Sequence, residues 1–293
     1  MSVIVKIMGG LGNQMFQYAA GRSLSTRLNC ELKLDNSWFY ESGCGASRFP
    51  LLHNFPISTL EASQEEISEL IYQKQNILLK LLRKKKKYTS FYKEEPSFDF
   101  WQDFNSFLSP VYLYGYWQNE KYFSGIESVI RKDFQFPSFT NIEADNISDK
   151  INNSLNSVSI HIRRGDYVNN PHTNQYHGTC SIEYYKEALK LISNEYGSLE
   201  LFIFSDDPQW IKLNFDTKDY SSNIIDIPAH NDFPYHDMSL MSLCKHHIIA
   251  NSSFSWWGAW LSNKNGVIIS PKQWFSDEKM RYFNPALSSW IKI

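Results

Sequence analysis

The chain has 293 residues, 42% of them hydrophobic and 20% charged, with 29 Lys and Arg against 31 Asp and Glu. This composition excludes disorder and supplies core material for about two domains. A formal net charge of −2 lacks the basic excess of a dedicated duplex nucleic-acid binder, so no nucleic-acid partner is expected.

The first residues, MSVIVKIMGG, form an apolar run that Lys6 and then glycines interrupt. It is too short for a signal sequence, and no stretch approaches the roughly 20 apolar residues of a membrane span. Cys30, Cys44, Cys180 and Cys244 are scattered without a C-x-x-C. They make neither a disulfide framework nor a zinc knuckle and fit a reducing compartment, so a soluble cytoplasmic protein is expected.

Residues 3–8 read as a buried strand and GGLGN as a tight turn. Residues 14–28 read as a helix with Met15, Tyr18, Ala19, Arg22 and Leu24 on one face, and ELKLD (31–35) as a second strand. This β-turn-α-β opening belongs to a doubly wound sheet. Residues 64–83 read as an amphipathic helix ending in Lys84-Lys85-Lys86-Lys87. That run suits a solvated helix C-terminus, or a peripheral contact with the inner membrane surface. Residues 90–137 are rich in aromatics and loop signals, and the polar stretch 138–157 reads as a linker or domain edge. Two domains, 1–150 and 151–293, follow. In the second, strands at VSIHIR (158–163), LELFIF (199–204), IIDIP (224–228), HIIAN (247–251) and VIISP (267–271) alternate with helices at 181–197 and 237–246. The alternation predicts a second parallel α/β layer.

Ligands of open parallel sheets bind outside the carboxyl ends of the strands, and four such ends here are polar. Gly9-Gly10-Leu11-Gly12-Asn13-Gln14 follows the first strand. It reads as a tight turn or as an anion loop; Met15 replaces the third glycine of a dinucleotide fingerprint, while the amides of Asn13 and Gln14 favour a sugar or phosphate ligand. His161-Ile162-Arg163-Arg164-Gly165-Asp166 ends the next domain's first strand. Val158, Ile160 and Ile162 share one strand face, and Ser159, His161 and Arg163 the other. Arginines at a buried strand end either pair structurally or grip an anion, and Asp166 is placed to orient one of them. Ser205-Asp206-Asp207-Pro208 follows LELFIF. These carboxylates suit a nucleoside, a metal ion or a helix cap, the last especially for Asp207 before proline. No D-x-D occurs, so a metal-held diphosphate has little support. Asn251-Ser252-Ser253-Phe254-Ser255 opens a helix suited to an anion, with Phe254 placed to pack on a base or ribose. The following Trp256-Trp257 reads as core.

Together GGLGNQMFQYA (9–19), HIRRGDY (161–167), the HG.CS..YY pattern (177–185), FSDDP (204–208) and ANSSFSWWGAWL (250–261) resemble the α-1,2-fucosyltransferases of glycosyltransferase family 11, soluble bacterial type. The resemblance runs from residue 7 to about residue 275. It implies an α/β fold of GT-B type, two Rossmann-like domains facing across a cleft. The N-terminal domain would take the acceptor and the C-terminal domain would bind GDP-fucose. It implies inverting transfer of L-fucose to the 2-hydroxyl of a galactose-terminated glycan acceptor, with no metal or other cofactor. Arg163 would hold the diphosphate, a carboxylate of the Asp206-Asp207 pair would contact the nucleoside, and Ser253-Phe254 would lie by the guanosine and phosphates.

The expected catalytic set is therefore Arg163, Arg164, Asp166 and His177. The expected donor-binding set is Gly10, Gly12, Asn13, Gln14, His161, Asp206, Asp207, Ser252, Ser253, Phe254 and Ser255. Leaving-group charge without a metal needs fixed cations, hence the two arginines. Asp166, His177 and Asp206 are the candidate bases, none preferred. Acceptor contacts are expected from Trp38, Phe39, Tyr40 and residues 112–118. Two competing readings remain: an NAD-dependent oxidoreductase, resting on the glycine turn and Asp35, and a non-catalytic carbohydrate-binding protein, resting on the 16% aromatic content.

Overall fold

The structure, a computed structural model, describes residues 1–40, 49–72, 87–165, 178–227 and 233–293. It forms two compact units, Met1–Gln135 and Phe136–Ile293. Each is built on a wholly parallel sheet.

The first sheet runs β3-β2-β1-β5-β4, with β1 Ser2–Lys6, β2 Glu31–Asp35, β3 Leu60–Glu61, β4 Tyr92–Glu94 and β5 Val111–Tyr114. Val3, Ile4 and Val5 are fully buried because helices cover both faces of a parallel sheet. Helix α1 (Leu11–Leu28) packs on β1 and β2, and α2 (Gln64–Ile71) contributes Ile67 and Leu70 to a core with Ile4 and Tyr112. The expected face of α1 is buried except at Arg22, which instead pairs with Asp133 at 2.9 Å on α3 (Glu127–Asp133). The short strands β4 and β5 fall in the stretch read as aromatic loop. Four residues, VYLY, show too little alternation to mark a central strand, yet β5 lies between β1 and β4.

The second sheet runs β11-β10-β9-β6-β7-β8, with β6 Ser157–Ile162, β7 Glu200–Ser205, β8 Ser221–Ile225, β9 His246–Ile248, β10 Ile268–Ser270 and β11 Ile291–Lys292. Helix α4 (Ile142–Asn153) occupies the stretch read as a linker or domain edge; the edge falls just before it, at 135/136, and the expected break at 150/151 cuts the helix. Its Ala144 and Ile151 are buried with Phe202 and Phe204 of β7 and Leu240 and Met241 of α7 (Tyr235–Leu243), so the helix belongs to the second unit. On the opposite face α5 (Ile182–Tyr196) buries Tyr184, Tyr185, Ala188, Leu189 and Ile192 against Val158, Ile160 and Ile162. Ser181 caps α5 by accepting from the Tyr184 amide at 3.1 Å, as the sequence predicts. The remaining helices are α6 (Pro208–Asn214) and α8 (Ser253–Trp260). Among the described residues, no helix is long and apolar enough to cross a membrane. Lys84, Lys85 and Lys86 lie outside the described residues; Lys87 is exposed.

Candidate active site

In the second sheet the chain runs from β6 outward to β7 and β8, then returns to place β9 on the other side of β6. The order therefore reverses between β6 and β9, and the crevice outside those strand ends is where such sheets bind ligands. Arg163 and Arg164 leave β6 there, and Asn251 to Ser253 leave β9 into α8. The His161 and Phe254 rings, 5.7 Å apart, join the two sides.

The arginines are held by the segment that follows β7. In-register pairing of Ile162 with Ser205 brings that segment alongside. Asp206 Oδ2 forms an ion pair with Arg163, 3.1 Å from its Nε, and Asp206 Oδ1 accepts from the Arg164 backbone amide at 2.8 Å. A Cβ at Gly165 would sit 2.8 Å from Asp206 Oδ2, so a larger residue there would push on this carboxylate. The Arg164 guanidinium lies over the Trp210 ring, 3.7 Å from its centroid. Asp207 caps α6 through the Trp210 amide at 3.0 Å, with Pro208 in the first turn. Both carboxylates expected at a nucleoside thus have work inside the protein: Asp206 orients the arginine pair, and Asp207 caps a helix.

His161 is buried, and burial, reinforced by the Arg163 charge, lowers its pKa to about 4. It is a neutral ring at physiological pH, with a buried Nδ1 that has no hydrogen-bond partner among the described residues. Ser252 caps α8 by accepting from the Phe254 amide at 3.3 Å. Ser255 is fully buried and donates to the Ala250 and Ser252 carbonyls, so its hydroxyl serves the turn rather than a ligand. Asn251 donates to the Gly178 and Trp274 carbonyls at 3.3 and 3.1 Å. Trp256 and Trp257 are core, as expected. Beyond β9 and β10 lies a cavity of about 280 Å³ whose lining includes Thr179, Ser181, Asn251, Lys272, Gln273 and Ser276.

The first sheet reverses order between β1 and β5. Gly9, with φ +79°, makes the turn, and Gly10 precedes α1 without a side-chain cap. The Asn13 side-chain oxygen accepts from Gln118 at 2.7 Å across this reversal point. Gln14 Nε2 donates to the Gly9 and Phe49 carbonyls, and its Oε1 accepts from the Leu51 amide, so this fully buried amide pins the loop. Gly12 lies in the first turn of α1. Asp35 accepts from Tyr112 Oη at 2.6 Å and from the Ser37 amide at 2.9 Å, and lies 3.6 Å from Lys6 Nζ. It is committed to the fold, which removes the main support for a ribose-binding acid.

The sequence reading missed Trp210, whose only signal was its place three residues after an Asp-Pro cap. It also missed Glu95, which follows β4 and accepts from the Tyr116 and Trp117 amides at 2.7 and 2.9 Å through Oε2. Burial pushes the Glu95 carboxyl up to about 7 despite those two bonds, and its Oε1 is buried without a partner. Asp166 and His177 lie outside the described residues. Among the described residues no three His, Cys, Asp or Glu side chains are grouped to hold a metal ion, and Cys30, Cys180 and Cys244 are free thiols.

Taken together, two guanidinium groups, a neutral imidazole and a serine-rich helix N-terminus gather at a sheet's switch point, an arrangement chemically suited to an anion. The family model described as Glycosyl transferase family 11 matches residues 2–293. An Escherichia coli alpha-1,2-colitosyltransferase is 36% identical, covering 100% of this chain and 99% of its own. The E. coli O-antigen biosynthesis glycosyltransferase WbnK is 32% identical, covering 98% and 99%. The crystal structure of POFUT1 in complex with GDP superposes with a TM-score of 0.50 at 14% identity, covering 90% of this chain and 95% of its own. With two parallel α/β units, the fold is of GT-B type.

Proposed function

The chain belongs to glycosyl transferase family 11, and from that premise we propose that it transfers L-fucose from GDP-β-L-fucose to the 2-hydroxyl of a galactose-terminated glycan, with inversion and without a metal ion. The observation that carries this reading is the arginine pair after β6, held by Asp206 and Trp210 beside the N-terminus of α8.

In the reaction the bond between the sugar C1 and the β-phosphate oxygen breaks as the acceptor oxygen bonds to C1 from the opposite face. The acceptor proton leaves to a base, and GDP departs. Negative charge grows on the β-phosphate, and Arg163 and Arg164 neutralise it with preorganised donors. Ser252, Ser253 and the backbone of the α8 first turn supply the remaining polar contacts to the nucleotide, and Phe254 lies against its sugar or base. The base is open among Asp166, His177 and Asp206. Trp38, Phe39 and Tyr40, with the half-buried Tyr114 and Tyr116, are the proposed acceptor contacts; Tyr112, Leu113 and Trp117 of the expected stretch are buried in the core. The scattered thiols support a cytoplasmic enzyme, and the likeness to WbnK supports an O-antigen intermediate as acceptor.

A second donor has a specific observation in its favour. Among these relatives the one at 36% identity is named a colitosyltransferase. Colitose is fucose lacking the 3-hydroxyl, so one pocket admits both unless a polar group demands that hydroxyl. Purified protein is incubated with GDP-fucose or GDP-colitose and a panel of galactosides, and products are read by mass spectrometry and linkage analysis. A 2-linked fucosyl galactoside is expected. Preferred transfer from GDP-colitose moves the reading to the second donor. No transfer from either, with NADH binding and no response to GDP, overturns it.

A further inference from the structure

We propose that Trp210 is a positioning residue: its indole face holds the Arg164 guanidinium in the orientation that meets the leaving diphosphate. The inference rests on the arginine reading above and adds to it a residue that touches no substrate.

Arg163 and Arg164 are adjacent in sequence but are held by different means. Arg163 has a carboxylate at Nε, 3.1 Å away. Among the described residues, the buried Arg164 Nε has no hydrogen-bond partner. Its head lies on the aromatic face, with Cζ 3.7 Å from the ring centroid. A long side chain without such a partner samples several rotamers, and each is lost again on binding.

Stacking suits this task better than an ion pair. A carboxylate takes N–H donors at the edge of the guanidinium, where phosphate oxygens also bind. An aromatic ring occupies only the face, so the in-plane donors stay directed at an anion. A stacked cation also keeps its full charge, whereas a carboxylate would offset it.

The indole is itself anchored. Asp207 accepts from the Trp210 amide at 3.0 Å, Pro208 sets the first turn of α6, and the ring packs on the core that includes Ile211 and Tyr185. One segment, 205–210, therefore sets both arginines, Arg163 through Asp206 and Arg164 through Trp210. The Arg164 backbone amide, bound to Asp206 Oδ1 at 2.8 Å, joins the two halves.

The test is a double-mutant cycle read by GDP affinity in calorimetry and by kcat and KM for transfer. Trp210→Leu is expected to weaken GDP binding by about 5- to 30-fold and to lower kcat, while Trp210→Phe stays within about threefold because a ring face remains. In an Arg164→Met background, Trp210→Leu should add nothing. An equal loss in both backgrounds overturns the proposal, since the indole then acts by packing alone; so does wild-type GDP affinity in Trp210→Leu. If the leucine variant does not fold, 5-fluorotryptophan NMR of the intact ring decides. The Trp210 resonance, assigned by its absence in Trp210→Phe, should shift on adding GDP to wild type and not to Arg164→Met. An identical shift in both overturns the proposal. If the wild type itself binds no GDP, the donor assignment has failed; if it binds GDP and the cycle is additive, only the role of Trp210 has.

Discussion

Replacing Asp206 by Asn isolates the orientation of the arginines from their charge. The carboxylate joins Arg163 Nε at 3.1 Å and the Arg164 amide at 2.8 Å. Asparagine has one oxygen for these two donors, so one of them must face an NH₂ group in either flip. At an effective dielectric near 20 the bare attraction across the 3.1 Å pair is about 5 kcal/mol. The two side chains are 29% and 23% exposed, and solvent screening reduces the net stabilisation to about 1–2 kcal/mol. Folding stability should fall by roughly that amount. Activity should fall further, because a guanidinium displaced by about 1 Å from the developing charge loses on the order of 10² in rate. The assay pairs urea denaturation with steady-state transfer and GDP titration. The expected result is kcat lower by about 30–100-fold in Asp206→Asn, and little further loss when the change is added to Arg163→Ala. Wild-type kcat and GDP affinity in the single variant would refute the orienting role.

Four further outcomes are expected. Arg163→Ala should lose at least about 10²–10³ in transfer, and Arg163→Lys should not restore it, because a point charge cannot reproduce a planar fork; full activity in the lysine variant would refute bidentate binding. Transfer should continue in EDTA, and a loss reversed by Mn²⁺ would sink the arginine account. Glu95, whose folded carboxyl titrates near 7 because of burial, holds a proton between about pH 4.5 and 7 that the unfolded chain has lost, so its contribution to stability declines as pH rises through that window. Glu95→Gln should therefore gain Tm relative to wild type at pH 8 and not at pH 4.5; an equal difference at both would contradict the burial argument. His161, His246 and His247 are lowered to about 4, 4 and 3 by burial first, so the unfolded chain binds protons below about pH 6.5 that the folded one refuses. Tm should drop as pH falls from 6.5 towards 4, and less steeply in His247→Gln; the same slope in that variant would remove its role.

What the sequence by itself determined was local. Alternating apolar runs and capped helices identified most of the second unit's elements, because periodicity and caps act within a few residues. Arg163 at the end of a buried strand, the Asp207 cap before Pro208, the Ser181 cap and the buried Trp256 and Trp257 were all legible in this way. The tertiary structure decided which side chains meet. Asp206, not a neighbour in sequence, orients the arginine pair because parallel register sets Ile162 opposite Ser205, 43 residues away. The same holds for Trp210 beneath Arg164, for Gln14 bound to the Phe49 and Leu51 backbone, and for α4 docking on α7 rather than serving as a linker. Parallel strands need long crossovers, so their neighbours are remote in sequence, and no local pattern records the contact.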